Sequence, residues 1–131
     1  MSRLTVFRAD TFVPTEADDR RLRLAVEADP RDVDWSAFAT IELQFPKFND
    51  GRAYSQAFLL RRRLGFAGDL RAVGDVLVDE VLLMQRSGFR QAVLRSDQSL
   101  AHAEQALRQF DGFYQGDAVD IAPRFALDGP P

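Results

Sequence analysis

The polar residues best suited to bind a small anion lie near the ends of predicted strands. They are Asp50, Gly51, Arg52, Arg71, Asp75 and Arg95. In parallel α/β folds, ligands bind beyond the carboxyl ends of the strands, where the N-termini of the following helices also point. Guanidinium groups and unsatisfied backbone N–H groups at that edge can bind an oxyanion or a phosphate group. We therefore predict an anion or ligand site formed by these six residues.

The aspartates of this region also have a structural interpretation, which we favour. Asp50, Asp75 and Asp97 each come just before a predicted helix. Aspartate is a preferred N-cap because its carboxylate accepts backbone N–H groups of the first helical turn. Ser96 is an alternative cap to Asp97. A further interpretation is that Asp50 and Asp75 bind a magnesium ion.

Arg71 is the most unusual residue of the set, because it lies inside an otherwise apolar predicted strand. A charge in such a place needs a partner. The candidates are Asp75, Asp50 and Glu42, which would make a buried structural ion pair. The other interpretation is an arginine that faces a ligand.

The residue types exclude several kinds of chemistry. The chain has no cysteine and one histidine, His102. This excludes disulfides, thiolate metal sites, a cysteine nucleophile and a metal site built from several histidines. The glycines have neither dinucleotide-binding nor P-loop spacing. We therefore assign no catalytic residue, no metal and no cofactor, and we expect His102 to lie on the surface or to be partly packed.

Charge is unevenly distributed along the 131 residues. The 17 basic and 20 acidic residues give a net charge of −3, so no general attraction to nucleic acid is expected. Residues 51–95 nevertheless hold eight arginines and only four acids. The simplest interpretation is a solvated arginine face on two helices. The alternatives are an anion site or a surface for an acidic partner.

The elements that position these residues follow from hydrophobic periodicity. Period-two patterns or short apolar runs predict four strands at 21–28, 39–45, 70–74 and 91–94, with a short strand or edge ribbon at 4–7. The pattern at 21–28 has one polar face, which is typical of an edge strand. Helices are predicted after Asp29-Pro30, after Asp50, after Asp75 and after Ser96 or Asp97.

The dipeptide Gly-Phe recurs at 65–66, 88–89 and 112–113. Glycine just after a helix can adopt a left-handed conformation, and the following apolar residue packs back on the last turn. Each of the first two pairs is followed by an apolar run and another helix, so the chain reads as successive βα units with parallel strands. The predicted fold is α/β, with a mostly parallel four-stranded sheet that is open or half-barrel-like.

The whole chain, residues 1–131, is predicted to form one domain, with a tail at 118–131 that is loose at its end. A sheet of this kind leaves edges to cover, so self-association is possible. No apolar run approaches membrane-spanning length and no signal-peptide pattern is present. We therefore expect a cytoplasmic protein without a membrane partner.

Three segments together resemble a known bacterial family. They are Phe45-Pro46-x-Phe48-x-Asp50-Gly51-Arg52-x-x-Ser55, Leu60-Arg61-x-Arg63-x-Gly65-x-x-Gly68-x-Leu70-Arg71-Ala72-Val73-Gly74-Asp75-Val76, and Arg86-x-Gly88-Phe89. The family is one of unknown function whose genes commonly lie beside those of assimilatory sulfite reductase, and its members are often labelled oxidoreductases of sulfite reduction. The resemblance covers residues 39–115. Family members usually have Gly at position 53, Gln at 80 and often Cys at 87, where this chain has Ala53, Glu80 and Ser87.

The resemblance implies a role in sulfur assimilation. The oxidoreductase label rests on gene neighbourhood, and this chain contains no cofactor motif that would support it. The leading expectation is a non-catalytic accessory protein that acts on sulfite reductase or on its electron donor through the arginine-rich region. The alternative is an enzyme or binding protein for a small oxyanion or phosphate-bearing ligand at the strand ends. A third possibility is an oligomerising module without a ligand.

Overall fold

The computed structural model of this protein describes residues 3–13 and 20–113. The strands are β1 (Thr5–Arg8), β2 (Arg21–Leu24), β3 (Thr40–Phe45), β4 (Asp69–Gly74) and β5 (Gln91–Leu94). The helices are α1 (Arg52–Phe58), which continues as a π-helical turn (Leu59–Arg63), α2 (Val81–Arg86) and α3 (Leu100–Phe113). Short 3₁₀ turns lie at Pro30–Asp32 and at Val78–Glu80, directly before α2.

All five strands are parallel and lie in the order β1-β5-β4-β3-β2. The α/β class and the parallel pairing are thus confirmed. The strand count of four was wrong: the N-terminal strand pairs with β5, which makes five strands in the described chain. This order is linear, with β1 and β2 at its two edges, so the sheet is open and a half-barrel is not confirmed.

One apolar core lies between the sheet and the helices. Because side chains alternate along a strand, Ile41, Leu43 and Phe45 of β3 share one face, and each is at most 1% exposed. The same core includes apolar side chains of the other four strands and of all three helices. Since consecutive strands β2 to β5 always advance in one direction across the sheet, right-handed crossovers place their connections on one face.

The opposite face of the sheet is polar at its centre. Thr40, Glu42 and Arg71 lie there and are buried. Glu42 is opposite Arg71 in the β3–β4 register, and Arg71 is in turn opposite Gln91 of β5. The alternation that gives β3 and β4 their apolar core residues therefore also brings these polar side chains together.

The Gly-Phe pairs stop the first two long helical segments as predicted. Gly65 and Gly88 have φ values of 74° and 98°, a left-handed conformation that costs a residue with a side chain more than glycine. The following residues, Phe66 and Phe89, are buried. The third pair, Gly112-Phe113, forms the last two residues of α3, and the predicted tail at 118–131 lies outside the described residues.

The predicted Asp29 cap agrees with the structure, whereas the starts of the other three predicted helices differ. Asp29 accepts the N–H of Arg31 ahead of Pro30. The N-cap of α1 is Gly51, which makes no side-chain capping bond, although Asp50, one residue earlier, accepts the N–H of Arg52. The capping roles predicted for Asp75 and for Ser96 or Asp97 were wrong. At these two helix starts, Gln98 Oε1 instead accepts the N–H of Val78, and Ser99 Oγ accepts the N–H of His102.

The helix after β4 also begins later than predicted. Val76 and Leu77 were expected to be helical, but helical structure starts with the 3₁₀ turn at Val78 and becomes α-helical at Val81. Asp75 is thereby free of a capping role and makes contacts across the strand ends. Within the described residues, none of the helices combines the length and the apolar composition needed to cross a membrane.

Candidate functional site

Asp75 joins three segments at the carboxyl edge of the sheet. Its Oδ1 accepts a hydrogen bond from Arg95 Nη1 at 2.6 Å, and its Oδ2 accepts the backbone N–H of Phe48 at 2.8 Å. Arg95 is also bound by Asp97, at 2.6 Å. These hydrogen bonds, of which the one from Arg95 is the strongest influence, lower the pKa of Asp75. Two carboxylates thus surround the single guanidinium of Arg95.

Asp50 and Arg52 form a similar local pair at the start of α1. Arg52 Nη2 and Nε contact the two carboxylate oxygens of Asp50 at 2.6 Å and 3.0 Å. The side-chain hydrogen bonds from Arg52, followed by its backbone N–H, lower the pKa of Asp50 to about 2. Gly51 lies between them, with an ordinary right-handed backbone conformation and open space around its Cα.

Arg71 does not lie with the other five residues of the predicted site. It is in the middle of β4 on the polar sheet face, where it is 2% exposed. Its Nη1 donates to Glu42 Oε2 at 2.7 Å, its Nε donates to Gln91 Oε1 at 2.7 Å, and the Phe12 ring lies 4.8 Å from its guanidinium carbon. Of the three partners considered for Arg71, Glu42 is therefore the correct one.

The six predicted residues thus fall into two places. Asp50, Gly51, Arg52, Asp75 and Arg95 lie at the carboxyl edge of the sheet, whereas Arg71 belongs to the buried polar face. An oxyanion at the edge would have to compete with carboxylates that already contact Arg52 and Arg95. Anion binding there stays a prediction. Within residues 3–13 and 20–113, no three His, Cys, Asp or Glu side chains cluster as a metal site.

A concave site lies on the helical side of the molecule. It is a groove of about 1030 Å³ between the α1–π segment and α2, and it extends to the turns that precede β4 and β5. We call it the arginine groove. It is lined by Tyr54, Phe58, Arg61, Arg62, Phe66, Ala67, Leu83, Gln85, Arg86, Ser87, Gly88, Phe89 and Arg90.

The lining of the arginine groove contains four arginines and no acidic residue. Arg61 is bound by neutral carbonyls only: its guanidinium donates to the backbone oxygens of Phe66, Gly68 and Gly88 at 2.8–2.9 Å. These bonds hold the two turns together, but none of them pairs Arg61 with a carboxylate. Partial burial, followed by the nearby charge of Arg90, lowers the pKa of Arg61.

The other three arginines line the rest of the groove. The Arg62 guanidinium carbon lies 5.6 Å from the centre of the Phe58 ring, a cation–π contact. Arg90 contacts Asp69 at 3.5 Å, with both side chains about 40% exposed. Arg86 is exposed and has no ion-pair partner among the described residues. The groove therefore carries a net positive charge, in contrast to the carboxyl edge, where carboxylates match the arginines.

The π-helical turn at Leu59–Arg63 shapes one wall of the groove. The N–H of Leu64 bonds to the oxygen of Leu59, five residues earlier, at 2.9 Å. A π turn is wider than an α turn, so consecutive residues rotate less about the axis. The neighbouring side chains of Arg61 and Arg62 can then face the same groove. Such turns are rare overall, but those that occur are often found at functional sites.

Apolar side chains stand on both walls of the groove. Phe58 on α1 is 49% exposed and Leu83 on α2 is 42% exposed, and both line it. Tyr54 contributes part of the lining and contacts Phe89 edge-to-face at a centroid distance of 6.1 Å. Its hydroxyl donates to Glu80 Oε1 at 3.0 Å, and burial, ahead of the Glu80 charge, raises the pKa of Tyr54. The groove thus combines exposed apolar surface with positive charge.

Five of the backbone donors in the lining turns are already used within the chain. The N–H groups of Phe66, Ser87, Gly88, Phe89 and Arg90 all donate to backbone carbonyls. A buried phosphate is usually held by a set of unsatisfied backbone N–H groups, often at a helix N-terminus. The turns here instead follow the C-terminal ends of α1 and α2. Recognition in this groove therefore falls mainly to side chains.

Comparison with known protein families assigns the chain. Residues 21–125 match a family of bacterial proteins of unknown function, DUF934. The chain belongs to this family. The matched segment includes the whole described sheet except β1, and it contains every residue of the arginine groove and of the predicted anion site. No curated protein and no solved structure is significantly similar to the chain.

The arginine groove was not predicted as a site, although the repeat contained a signal for it. Arginines come shortly before both Gly65-Phe66 and Gly88-Phe89. Successive βα units lie side by side, so equivalent positions of two units become neighbours. Arg61 and Arg62 of one unit and Arg86 of the next therefore meet across a shared gap. The family membership agrees with the resemblance to a bacterial family of unknown function.

Proposed function

We propose that this protein is a non-catalytic accessory protein of assimilatory sulfite reduction, which binds an acidic partner through the arginine groove. The resemblance of the segments around Arg52, Arg71 and Gly88 supplies the pathway. It suggests sulfite reductase, or the protein that delivers electrons to it, as the partner. The groove supplies the binding mode.

The observation that carries this proposal is the absence of acidic residues from a groove lined by four arginines. Arginine and aromatic residues are enriched at protein–protein interfaces, because they combine large contact area with hydrogen bonding. The exposed Phe58 and Leu83 add apolar area beside the charges. A carboxylate-rich surface would compensate the positive charge that the protein itself leaves unmatched.

The experiment is a binding titration of the purified protein against purified sulfite reductase and, separately, against its electron donor. Binding should weaken steeply as salt rises from about 50 mM to about 500 mM, because exposed charge pairs are screened. The double variant Arg62→Glu/Arg86→Glu should bind at least ~10-fold more weakly, the effect of about 1.4 kcal/mol. Association rates should fall more than dissociation rates rise, as is typical of charges at an interface rim.

Arg63→Glu is the matched control. Arg63 follows Arg62 directly and is exposed, but it does not line the groove. This variant makes the charge change that Arg62→Glu makes on the same segment, which is half that of the double variant, and should retain binding within about twofold, less than the loss of one well-placed contact. The proposal fails if neither partner binds at low salt, or if the double variant binds like the control.

A further inference from the structure

The arginine groove has features that define the form of the segment it binds. Its lining residues all come from helices and from turns, and no strand contributes. Addition of a strand requires an exposed strand edge whose N–H and C=O groups are unpaired. The groove has no such edge, so a bound segment cannot extend the sheet there.

The groove also offers few backbone groups for hydrogen bonding. The N–H groups of Phe66, Ser87, Gly88, Phe89 and Arg90 bond to carbonyls of the chain, and the carbonyls of Phe66, Gly68 and Gly88 accept from Arg61. A segment that enters this groove must satisfy its own backbone groups, since buried unpaired N–H and C=O groups are costly. Among the regular structures, the α-helix does this within a single segment.

The side chains of the groove define the faces of that helix. Phe58 and Leu83 stand exposed on opposite walls and would contact an apolar stripe. Arg62, Arg86 and Arg90 would contact carboxylates that flank the stripe. We infer that the arginine groove binds an acidic amphipathic helix of a partner protein, with its apolar face between Phe58 and Leu83. This inference rests on the proposed function, whose partner it describes, but it does not depend on which protein supplies the helix.

The test uses a fluorescent synthetic peptide of about 18 residues, five helical turns, with Leu and Phe on one face and Glu on the others. The full-length protein should bind it, and the peptide should gain helical circular dichroism on binding. A peptide of the same composition, scrambled so that no apolar face forms, should bind at least ~10-fold more weakly, about 1.4 kcal/mol. Equal binding of the two peptides would overturn the inference, because charge alone would then explain binding.

Variants of the groove locate the site. Phe58→Ser and Leu83→Ser should each weaken peptide binding ~5-fold or more, within the range for loss of an apolar contact. Val13→Ser is the matched control, since Val13 is 78% exposed and does not line the groove. Circular dichroism of each variant would show that its fold is retained. Unchanged binding by both groove variants overturns the inference.

The outcomes separate this inference from the proposed function. If the reductase or its donor binds through Arg62 and Arg86 but the amphipathic peptide does not bind, the helix inference fails and the accessory function stands. If the peptide binds in the groove and neither sulfur-pathway protein does, the reverse holds. Equally tight binding of an oligouridine at the same residues would assign the groove to polyanions and overturn the helix inference.

Discussion

At the residue scale, the carboxylate of Glu42 is the common partner of three arginines. Arg71 Nη1 lies 2.7 Å from Glu42 Oε2, while Arg23 Nη2 and Arg21 Nε lie 2.8 Å and 3.6 Å from Oε1. The side chains of Glu42 and Arg71 are only 4% and 2% exposed. Their contact therefore lies in a region of low dielectric, where loss of one partner is costly.

Replacing Glu42 should destabilise the fold strongly. Glu42→Leu takes from buried Arg71 the carboxylate that it contacts, and breaking such a pair costs about 3–5 kcal/mol. The double variant Glu42→Leu/Arg71→Met should recover much of this loss, because no isolated charge then stays buried. Urea denaturation would measure both. Asp10→Ala is the control, since the Asp10–Arg8 pair is exposed, and its unfolding midpoint should scarcely change. A Glu42→Leu midpoint as little changed as that of the control would contradict the prediction.

Carboxylates at the strand ends should make stability depend on pH in the acid range. A side-chain hydrogen bond from Arg52 lowers the pKa of Asp50 to about 2, and one from Arg95 lowers the pKa of Asp97 to about 2. The pKa of Asp75 is also lowered, and its largest cause is the side-chain hydrogen bond from Arg95. A carboxylate whose pKa is lower in the folded state than in the unfolded state, where it is about 3.9, stabilises the fold at pH values above about 3.9. This stabilisation is lost as the pH falls toward the pKa of the folded state. The melting temperature should therefore fall between about pH 4 and about pH 2.

Amide variants would assign this acid dependence. Asp75→Asn keeps an oxygen that can accept the Phe48 N–H but cannot be ionised, so the fall in melting temperature below about pH 4 should be shallower than in the unchanged protein. Asp34→Asn serves as the comparison variant. Asp34 is exposed, and the largest cause of its lowered pKa is a hydrogen bond from the Ser36 side chain, not from an arginine. If Asp50→Asn, Asp75→Asn and Asp97→Asn all leave the acid dependence of the melting temperature unchanged, these carboxylates do not cause it.

At the element scale, the turn that ends β4 requires glycine for two reasons. Gly74 has a φ of 102°, and a Cβ there would lie 2.5 Å from the backbone oxygen of Phe45. The φ alone costs a residue with a side chain about 1–2 kcal/mol. The backbone contact adds to that cost, because the neighbouring strand β3 cannot move away without breaking its pairing with β4.

Three alanine variants separate these contributions. Gly74→Ala should be the most destabilising of the three. Gly65→Ala should cost about 1 kcal/mol, because Gly65 has a positive φ but open surroundings. Gly51→Ala should change stability little. No atom lies within 4 Å of a Cβ at Gly65 or Gly51. The three unfolding midpoints in urea give the order directly. A Gly74→Ala variant no less stable than Gly65→Ala would argue against the contact with Phe45.

The elements that were predicted correctly are those whose pattern can be read from a short stretch of the sequence. The strands at 40–45, 69–74 and 91–94 and the stops at Gly65 and Gly88 follow from alternation and from helix-end chemistry. The place of β1 had no such signal, because its partner β5 is far away in the chain and parallel pairing of distant segments leaves no local pattern. The π turn and the delayed start of α2 likewise depend on tertiary packing rather than on propensity.

The candidate sites show the same division between local and long-range information. The pairing of Asp50 with Arg52 is local, and Glu42 was one of three acidic candidates for the partner of Arg71. Which candidate is correct depends on the register of β3 and β4, which places Glu42 opposite Arg71. The arginine groove depends on how closely two helices approach, so only the repeated arginines before the Gly-Phe pairs indicated it.

At the scale of the whole molecule, the strand order places a topological switch between β1 and β5. The chain after β1 passes to the polar face, where Phe12 lies against Arg71, whereas the chain after β5 leads to α3 on the helical side. Open α/β sheets bind ligands at such a position. Arg95 follows β5 directly, so the predicted oxyanion site would lie beside this switch.

A thermal-shift titration with sulfite or phosphate tests that site. A ligand that binds only the folded state adds about 2.7 kcal/mol at a hundredfold excess over Kd, so the melting temperature should rise with the logarithm of the ligand concentration once this exceeds Kd. Arg95→Met and Arg52→Met should reduce the shift. The control is Arg31→Met, which removes another exposed arginine paired with a neighbouring aspartate. A flat titration with both anions would refute binding at the carboxyl edge.

The pairing of β1 with β5 also determines the order in which the sheet can be completed during synthesis. Thr5 pairs with Gln91, 86 positions later, so at 5–20 residues per second roughly 4–17 s pass between the synthesis of the two strands. Strands β2 to β5 can assemble in the order in which they leave the ribosome. β1, which is synthesised before the other four strands of this sheet, must wait for β5, and until it docks, the nascent protein exposes the outer edge of β5 to chaperones and to other unfinished chains.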